Sequence, residues 1–253
     1  MTVAMEVIRS EQPEWLTNSY LAYDEKGGTG VLIDANGQTA ELLAKADELG
    51  VSVTHLLLTH EHWDHILDAS FVASERGLVV AAHPDVAAAV EVPVEPIADG
   101  EVLRAGGLEI EAIATPGHSD AHIAFLINGS ELFSGDALFA GTVGGTMLPG
   151  KTGLEEMKSA IMDRLMVLPG ETTVHPGHSG PTTIAAEREG NPFVRLWDDR
   201  DEPGEEPCEV TGFGEATLLL WAPDYDGTNK ALVRFEDGTV GIVGGSMVSR
   251  EEA

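Results

Sequence analysis

Cysteine is almost absent from this sequence. Cys208 is the single one in 253 residues. An intramolecular disulfide and a cysteine-rich zinc module are therefore excluded. Positive charge is also scarce: 14 Lys+Arg stand against 43 Asp+Glu, a formal net charge of −29. Such a surface repels a polyanion at long range, which argues against DNA or RNA as a partner. Otherwise the acidity reads as a general surface bias that favours solubility. No segment reaches the ~18 uninterrupted apolar residues that a membrane helix needs. The opening MTVAMEVIRSEQPEW lacks the basic stretch and apolar core of a secretory signal. The expectation is a soluble cytoplasmic protein without a membrane partner. With 43% hydrophobic residues the chain can bury a full core, as one large domain or as a domain plus a small module.

Short apolar runs alternate with helix-like stretches. Strands are expected at 29–34, 53–58 and 78–82, and helices at 37–50, 64–77, 153–168 and 184–197. Between Leu103 and Ser134 the pattern is strand and turn, with Asn128-Gly129 as a hairpin signal. This is an α/β layered pattern over roughly 200 residues. The acidic, proline-containing stretch 198–209 (DDRDEPGEEPCE) reads as a linker, with 201–209 as its core. Three strand-like runs follow at 216–221, 230–236 and 240–243, so 210–253 reads as a small β appendage. DYDGTN (224–229) reads as a turn, because its glycine sits too early for a calcium loop.

The chemistry concentrates in THEHWDH, residues 59–65, directly after the strand 53–58. His60, His62, Asp64 and His65 stand there. His118 follows the run 108–114, in TPGHSDAH. Asp136 follows 131–133, in FSGD, and His178 follows 171–174, in HPGHSG. Four strand ends thus deliver imidazole or carboxylate, and ligands in open α/β sheets gather beyond the carboxyl ends of strands. A glycine precedes His118, Asp136 and His178, as a tight turn would require. Five histidines and two aspartates suit two divalent ions, and a set without thiolate suits Zn²⁺, Mn²⁺ or Fe²⁺. The H-x-H spacing places His60 and His62 on one side of an extended segment. His118 would complete a three-histidine site, while Asp64, His65 and His178 would serve a neighbouring ion and Asp136 could bridge. Among the other histidines, His122 is as well suited to a supporting role as to a core one. His175 has a weaker claim, and His55 and His83 read as structural. Trp63 reads as core or as a pocket wall, and Trp15 as a residue at the mouth.

HxHxDH, then TPGH, then GD, then PGH, in this order, resembles the metallo-β-lactamase superfamily over about residues 3–200. The resemblance implies an αββα four-layer sandwich. It implies His60, His62 and His118 on one metal, Asp64, His65 and His178 on a second, and Asp136 bridging. TPGHSDAHIAFLI and HPGHSGPTTIAAEREGNPF are similar to segments of the glyoxalase II-like (hydroxyacylglutathione hydrolase-like) thioesterases. Where those relatives often carry an arginine and an aspartate, GTVGGTMLPG (141–150) has neither, and Lys151 is the nearest cation.

The expected function is a dinuclear metal-dependent hydrolase, zinc first with iron or manganese open, acting on a small thioester or ester. Two ions would lower the pKa of a bridging water toward ~7, with Asp64 and Asp136 orienting the resulting hydroxide. The alternatives are a mononuclear iron persulfide dioxygenase, a lactonase on the same fold, and a non-catalytic scaffold, against which the full ligand set argues. GHSDA (117–121) nearly fits a serine-nucleophile elbow, but Ala121 stands where glycine is needed.

Overall fold

The computed structural model describes residues 5–147 and 153–250. The end of the 141–150 segment and Lys151 lie outside them. The first sheet contains β1 (Glu6–Glu11), β2 (Asn18–Tyr23), β3 (Thr29–Ile33), β4 (Ser52–Leu57), β5 (Val79–Ala82) and β6 (Val94–Pro96), side by side in chain order. Its first three strands are antiparallel and the rest join in parallel. The parallel crossovers carry α1 (Thr39–Leu49), α2 (Trp63–Ile66) and α3 (Ala69–Arg76). The second sheet contains β7 (Val102–Ala105), β8 (Leu108–Ala114), β9 (Ile123–Ile127) and β10 (Glu131–Gly135). A small hairpin, β11 (Leu138–Phe139) and β12 (Thr142–Val143), precedes its last strands, β13 (Thr173–Pro176) and β14 (Thr182–Thr183). The spatial order is β14-β13-β10-β9-β8-β7.

Alternation along the strands divides the core into layers. Tyr20, Val31, Ile33 and Leu57 meet Ile110, Ile123, Phe125 and Phe133 between the two sheets. The other face of the first sheet, Leu21, Leu32 and Leu56, packs on Leu42, Leu43 and Val72 of the helices. The outer face of the second sheet packs on Met157, Ile161, Phe193 and Val194 of the late helices. Each large side chain wholly withdrawn from water in these layers contributes about 1.5–3 kcal/mol before entropy is set against it. This is the expected αββα order.

Three expected helices are interrupted, each for a local reason. The 64–77 helix stops after Ile66 because the Ala35 N–H donates to the His65 carbonyl at 2.7 Å, occupying the acceptor that would continue the turn. The 153–168 helix is α4 (Leu154–Ser159) followed by a π-turn, Ala160–Leu165, closed by Met166 N–H on the Ile161 carbonyl. The 184–197 helix splits into α5 (Ile184–Gly190) and α6 (Pro192–Trp197). Proline bars helical geometry at Asn191, which turns extended and caps α6 by accepting from the Phe193 and Val194 N–H groups.

A third sheet closes the chain: β15 (Glu206–Val210), β16 (Gly214–Pro223), β17 (Asn229–Phe235), β18 (Val240–Gly244) and β19 (Val248–Arg250). The order is β18-β17-β16-β15-β19. The expected linker was drawn too long: Glu206–Glu209 pairs with Glu215–Leu218 as a strand. The sheet is not held at arm's length. Leu219, Ala222, Leu232 and Ile242 enter the same buried cluster as the late helices, while Leu218, Val233 and Val243 form a smaller cluster on the far face.

Candidate metal centre

Four turns at strand ends converge. After β4, the chain runs extended through His60 to His62, whose φ of −63° and ψ of 138° place it at the N-cap of α2. The first turn of that helix then presents Asp64 and His65. After β8, Gly117 takes a φ of +136°, and a Cβ there would lie 2.4 Å from Cβ of Met157, so glycine is required ahead of His118. After β10, Gly135 precedes Asp136, and after β13, Gly177 precedes His178. A Cβ on Gly177 would stand 2.1 Å from Asp136 Oδ1. The two sheets are tied at this end: Asn18 N–H donates to the Gly177 carbonyl, and the Tyr20 hydroxyl to the Pro176 carbonyl.

The structure brings all seven expected side chains together. Three overlapping groups each have ligand atoms within 4.8 Å of one another: His60, His62 and His118; His60, His65 and Asp136; Asp64, His65 and His178. Asp136 sits centrally. Its Oδ1 is 3.3 Å from His65 Nε2, and its Oδ2 is 3.4 Å from both His118 Nε2 and His178 Nε2. His118 Nε2 and His62 Nδ1 approach to 2.8 Å. Asp64 Oδ2 lies 3.6 Å from His65 Nε2 and accepts from the Thr17 hydroxyl at 2.7 Å. His60, His65, His118, Asp136 and His178 are buried, and His62 and Asp64 partly so.

The ring nitrogens that face away from the cluster define the tautomers. His65 Nδ1 donates to Asp34 Oδ2 at 2.9 Å, His118 Nδ1 to the Gly145 carbonyl at 2.9 Å, and His178 Nδ1 to the Leu16 carbonyl at 3.1 Å. His60 Nδ1 donates to Thr59 Oγ1, which itself donates to Asp34. Each such bond holds the neutral ring's proton on the outward nitrogen, so that the inward lone pair is the one offered to a metal. His60 Nε2, His65 Nε2 and Asp136 Oδ1 are buried without a hydrogen-bond partner among the described residues. Burying three such atoms unsatisfied is costly, and a cation removes that cost. The donor set therefore fits divalent metal ions.

Electrostatics follow from the crowding. Burial holds His60 well below the ordinary histidine range, reinforced by neighbouring His65, and pushes His118 down to about 4. Burial also acts to lower His65, but Asp136 and Asp34 on either side outweigh it and raise it. Asp136 is held well below the usual carboxylate range, because His178 and His65 outweigh its burial.

Sequence reasoning missed Asp34, which orients His65 directly and His60 through Thr59. Its signal was present, since Asp34 ends the apolar run TGVLI just as other site residues end theirs. His122 is buried and supports the site: its Nε2 accepts the Asp136 backbone N–H at 3.0 Å. Burial lowers it to about 3, which keeps it a neutral acceptor. His175 stands apart, paired with Glu131 at 2.7 Å and stacked on Phe133. Trp63 is not a core residue; it is 51% exposed and meets Trp15 edge to face at 4.8 Å.

The third sheet, whose role the sequence leaves open, also reaches the site. The turn at 224–228 places Tyr225 flat against the His178 ring, 4.3 Å between centroids at 13°. Tyr225 also lines a cavity of about 230 Å³ that reaches His118 and Asp136.

Fold and site together define a class, a two-sheet αββα protein whose open end gathers histidine and aspartate in metal-binding groups. The chain belongs to the metallo-β-lactamase superfamily, mostly metal-dependent hydrolases, and the sequence model of that family matches residues 13–178. The match ends at His178, so the third sheet lies beyond it. The chain is similar to hydroxyacylglutathione hydrolase GloC of Haemophilus influenzae, 28% identical over 197 residues, 70% of this chain and 92% of that protein. Among solved structures it is similar to ETHE1 from Myxococcus xanthus, with 29% identity, a TM-score of 0.68, and coverage of 78% of this chain and 92% of that one. It is also similar to TTHA1623 in a di-iron-bound form, with 34% identity, a TM-score of 0.63, and coverage of 74% and 99%.

Proposed function

We propose that this protein is a dinuclear metal-dependent hydrolase of small thioesters or esters. The observation that carries the reading is the overlap of the three ligand groups around Asp136. In this reading His60, His62 and His118 hold one ion, Asp64, His65 and His178 hold the other, and Asp136 serves both. Bound there, divalent ions would polarise a substrate carbonyl and lower the pKa of a water toward ~7.

The chain's own residues do the rest. Thr17 fixes the Asp64 carboxylate, and His122 fixes the backbone of Asp136, so both carboxylates are preorganised to orient the attacking water. Asp34 keeps His65 in the productive tautomer. Among the described residues no serine or cysteine nucleophile is placed in these groups, and none is required. The net charge of −29 disfavours polyanionic substrates and leaves small molecules as the substrate class.

A second reading, a mononuclear iron persulfide dioxygenase, rests on the similarity to ETHE1. The Asp64–His65–His178 group offers the ligands a second ion would need, which is why the hydrolase is the first reading. Turnover of a thioester panel before and after chelation, beside an oxygen electrode, separates the two. The hydrolase reading expects thioester turnover that is lost on chelation and restored by zinc. Oxygen uptake with a persulfide, and no hydrolysis, would replace it with the dioxygenase.

A further inference from the structure

We propose that the C-terminal sheet is a working wall of the active site: Tyr225 positions the His178 ring and, with Met147, Ile242 and Met247, forms a subsite for an uncharged, largely apolar leaving group. The substrate half of this proposal rests on the hydrolase reading above.

Tyr225 sits in the turn between β16 and β17. Its ring stacks on His178, and Phe139 meets the Tyr225 ring edge to face at 5.2 Å. The turn is pinned from beneath. Lys230 Nζ lies 3.1 Å from Asp224 Oδ2 and donates to the Val143 carbonyl at 3.0 Å, and both side chains of the pair are 7% exposed. The same ammonium stands 5.3 Å from the centroids of Phe139 and Tyr225. A buried pair of this kind holds position because moving either partner strands the other's charge. The sheet is further stitched to the loop after β12 by the Thr146 N–H on the Ile242 carbonyl. His178 thus has its Nδ1 anchored by Leu16 and its face by Tyr225, which fixes the ring in two directions.

The charge around the cavity selects its occupant. Its floor includes Met147, Ile242 and Met247. Asp224 and Asp226 also line it, and Lys230 is the one lysine or arginine lining it among the described residues. That lysine is already neutralised by Asp224. Away from the metal ions, a leaving group bearing carboxylates would meet Asp224 and Asp226 with no unpaired lysine or arginine lining the cavity among the described residues, whereas a neutral thiol or alcohol would meet methionine, isoleucine and an aromatic ring.

The test uses S-acetyl thioesters of N-acetylcysteamine, which is neutral, and of glutathione, which is anionic. The neutral one is expected to have at least a 10-fold higher kcat/KM. Tyr225→Ala is expected to raise KM for it about 10-fold and, in zinc calorimetry, to weaken one of the two sites and leave the other unchanged. Tyr225→Phe, which keeps the stacked ring, retains wild-type zinc affinity. Binding of the uncleavable S-ethyl thioether of N-acetylcysteamine to the zinc-loaded protein is measured alongside. Preference for the glutathione thioester overturns the subsite, as does thioether affinity unchanged in Tyr225→Ala. Unchanged zinc affinity in Tyr225→Ala overturns the positioning role. Absence of all hydrolysis, with thioether binding still dependent on Tyr225, overturns the hydrolase reading and supports the subsite.

Discussion

Asp34→Asn should weaken the second metal site more than the first. The wild-type carboxylate accepts three hydrogen bonds: the Thr59 N–H at 2.8 Å on Oδ1, and the Thr59 hydroxyl at 2.8 Å with His65 Nδ1 at 2.9 Å on Oδ2. Asparagine has nearly the same volume and can still accept the Thr59 N–H. Its new amide donor, however, faces two groups that were themselves donors. The Thr59 hydroxyl can rotate to accept. His65 can accept only through a bare Nδ1, which moves the ring proton to Nε2, the atom 3.3 Å from Asp136 Oδ1. A protonated Nε2 has no lone pair for a metal. Losing such an orienting partner weakens metal binding about 10–100-fold, or ~1.4–2.8 kcal/mol. The loss should fall chiefly on the ion held by Asp64, His65 and His178, because Thr59 Oγ1 can still accept from His60 Nδ1. Asp34→Ala goes further, because the buried Thr59 N–H then has no acceptor, which adds about 1–3 kcal/mol of fold destabilisation. Zinc calorimetry on the metal-free protein, with thermal melting beside it, reads both effects. Two unchanged zinc affinities in Asp34→Asn, or equal weakening of both sites, would refute the tautomer reasoning.

Gly177→Ala would push a methyl group to 2.1 Å from Asp136 Oδ1 and 2.7 Å from His65 Cε1, displacing the carboxylate at the centre of the ligand cluster. Turnover should fall at least ~100-fold, since misplacement by about 1 Å costs that much, and kcat/KM on a thioester checks it. Lys230→Met strands the buried Asp224 carboxylate and should destabilise the fold by about 3–5 kcal/mol, whereas Lys230→Met with Asp224→Leu should recover most of it; urea denaturation compares the two. Asp24 links the β2–β3 turn to the second sheet through the N–H groups of Glu25, Thr29 and Gly107. Burial pushes its carboxyl up, but those bonds outweigh burial and hold it below the usual range. A depressed carboxyl stabilises above its unfolded pKa and loses that contribution as pH falls through the folded value. Asp24→Ala should therefore cost about 1 kcal/mol at pH 7, and melting temperatures of the two proteins should begin to converge only as pH falls below about 4 and meet below the folded pKa.

The site was legible where chemistry is local. THEHWDH, and a glycine ahead of His118, Asp136 and His178, are short-range signals, because a strand end and a tight turn suffice to aim each side chain. The layers were legible because buried strands and amphipathic helices carry their periodicity in sequence. What was not legible depends on distant partners. The break after Ile66 is set by a backbone donor from Ala35, about one strand away. Asp34 and Thr17 join the site only through tertiary packing, and Tyr225 arrives from a turn far along the chain. Acidic composition hid β15, which is a strand because it has β16 and β19 on either side. The division at Asn191-Pro192 was readable from the proline, and the strong apolar pattern on both sides masked it.

Metal content of the purified protein, by elemental analysis on wild type and on His178→Ala, tests the dinuclear centre most directly. The account predicts about two divalent ions per chain in wild type and about one in His178→Ala. A single iron per wild-type chain, left unchanged by His178→Ala, would contradict it.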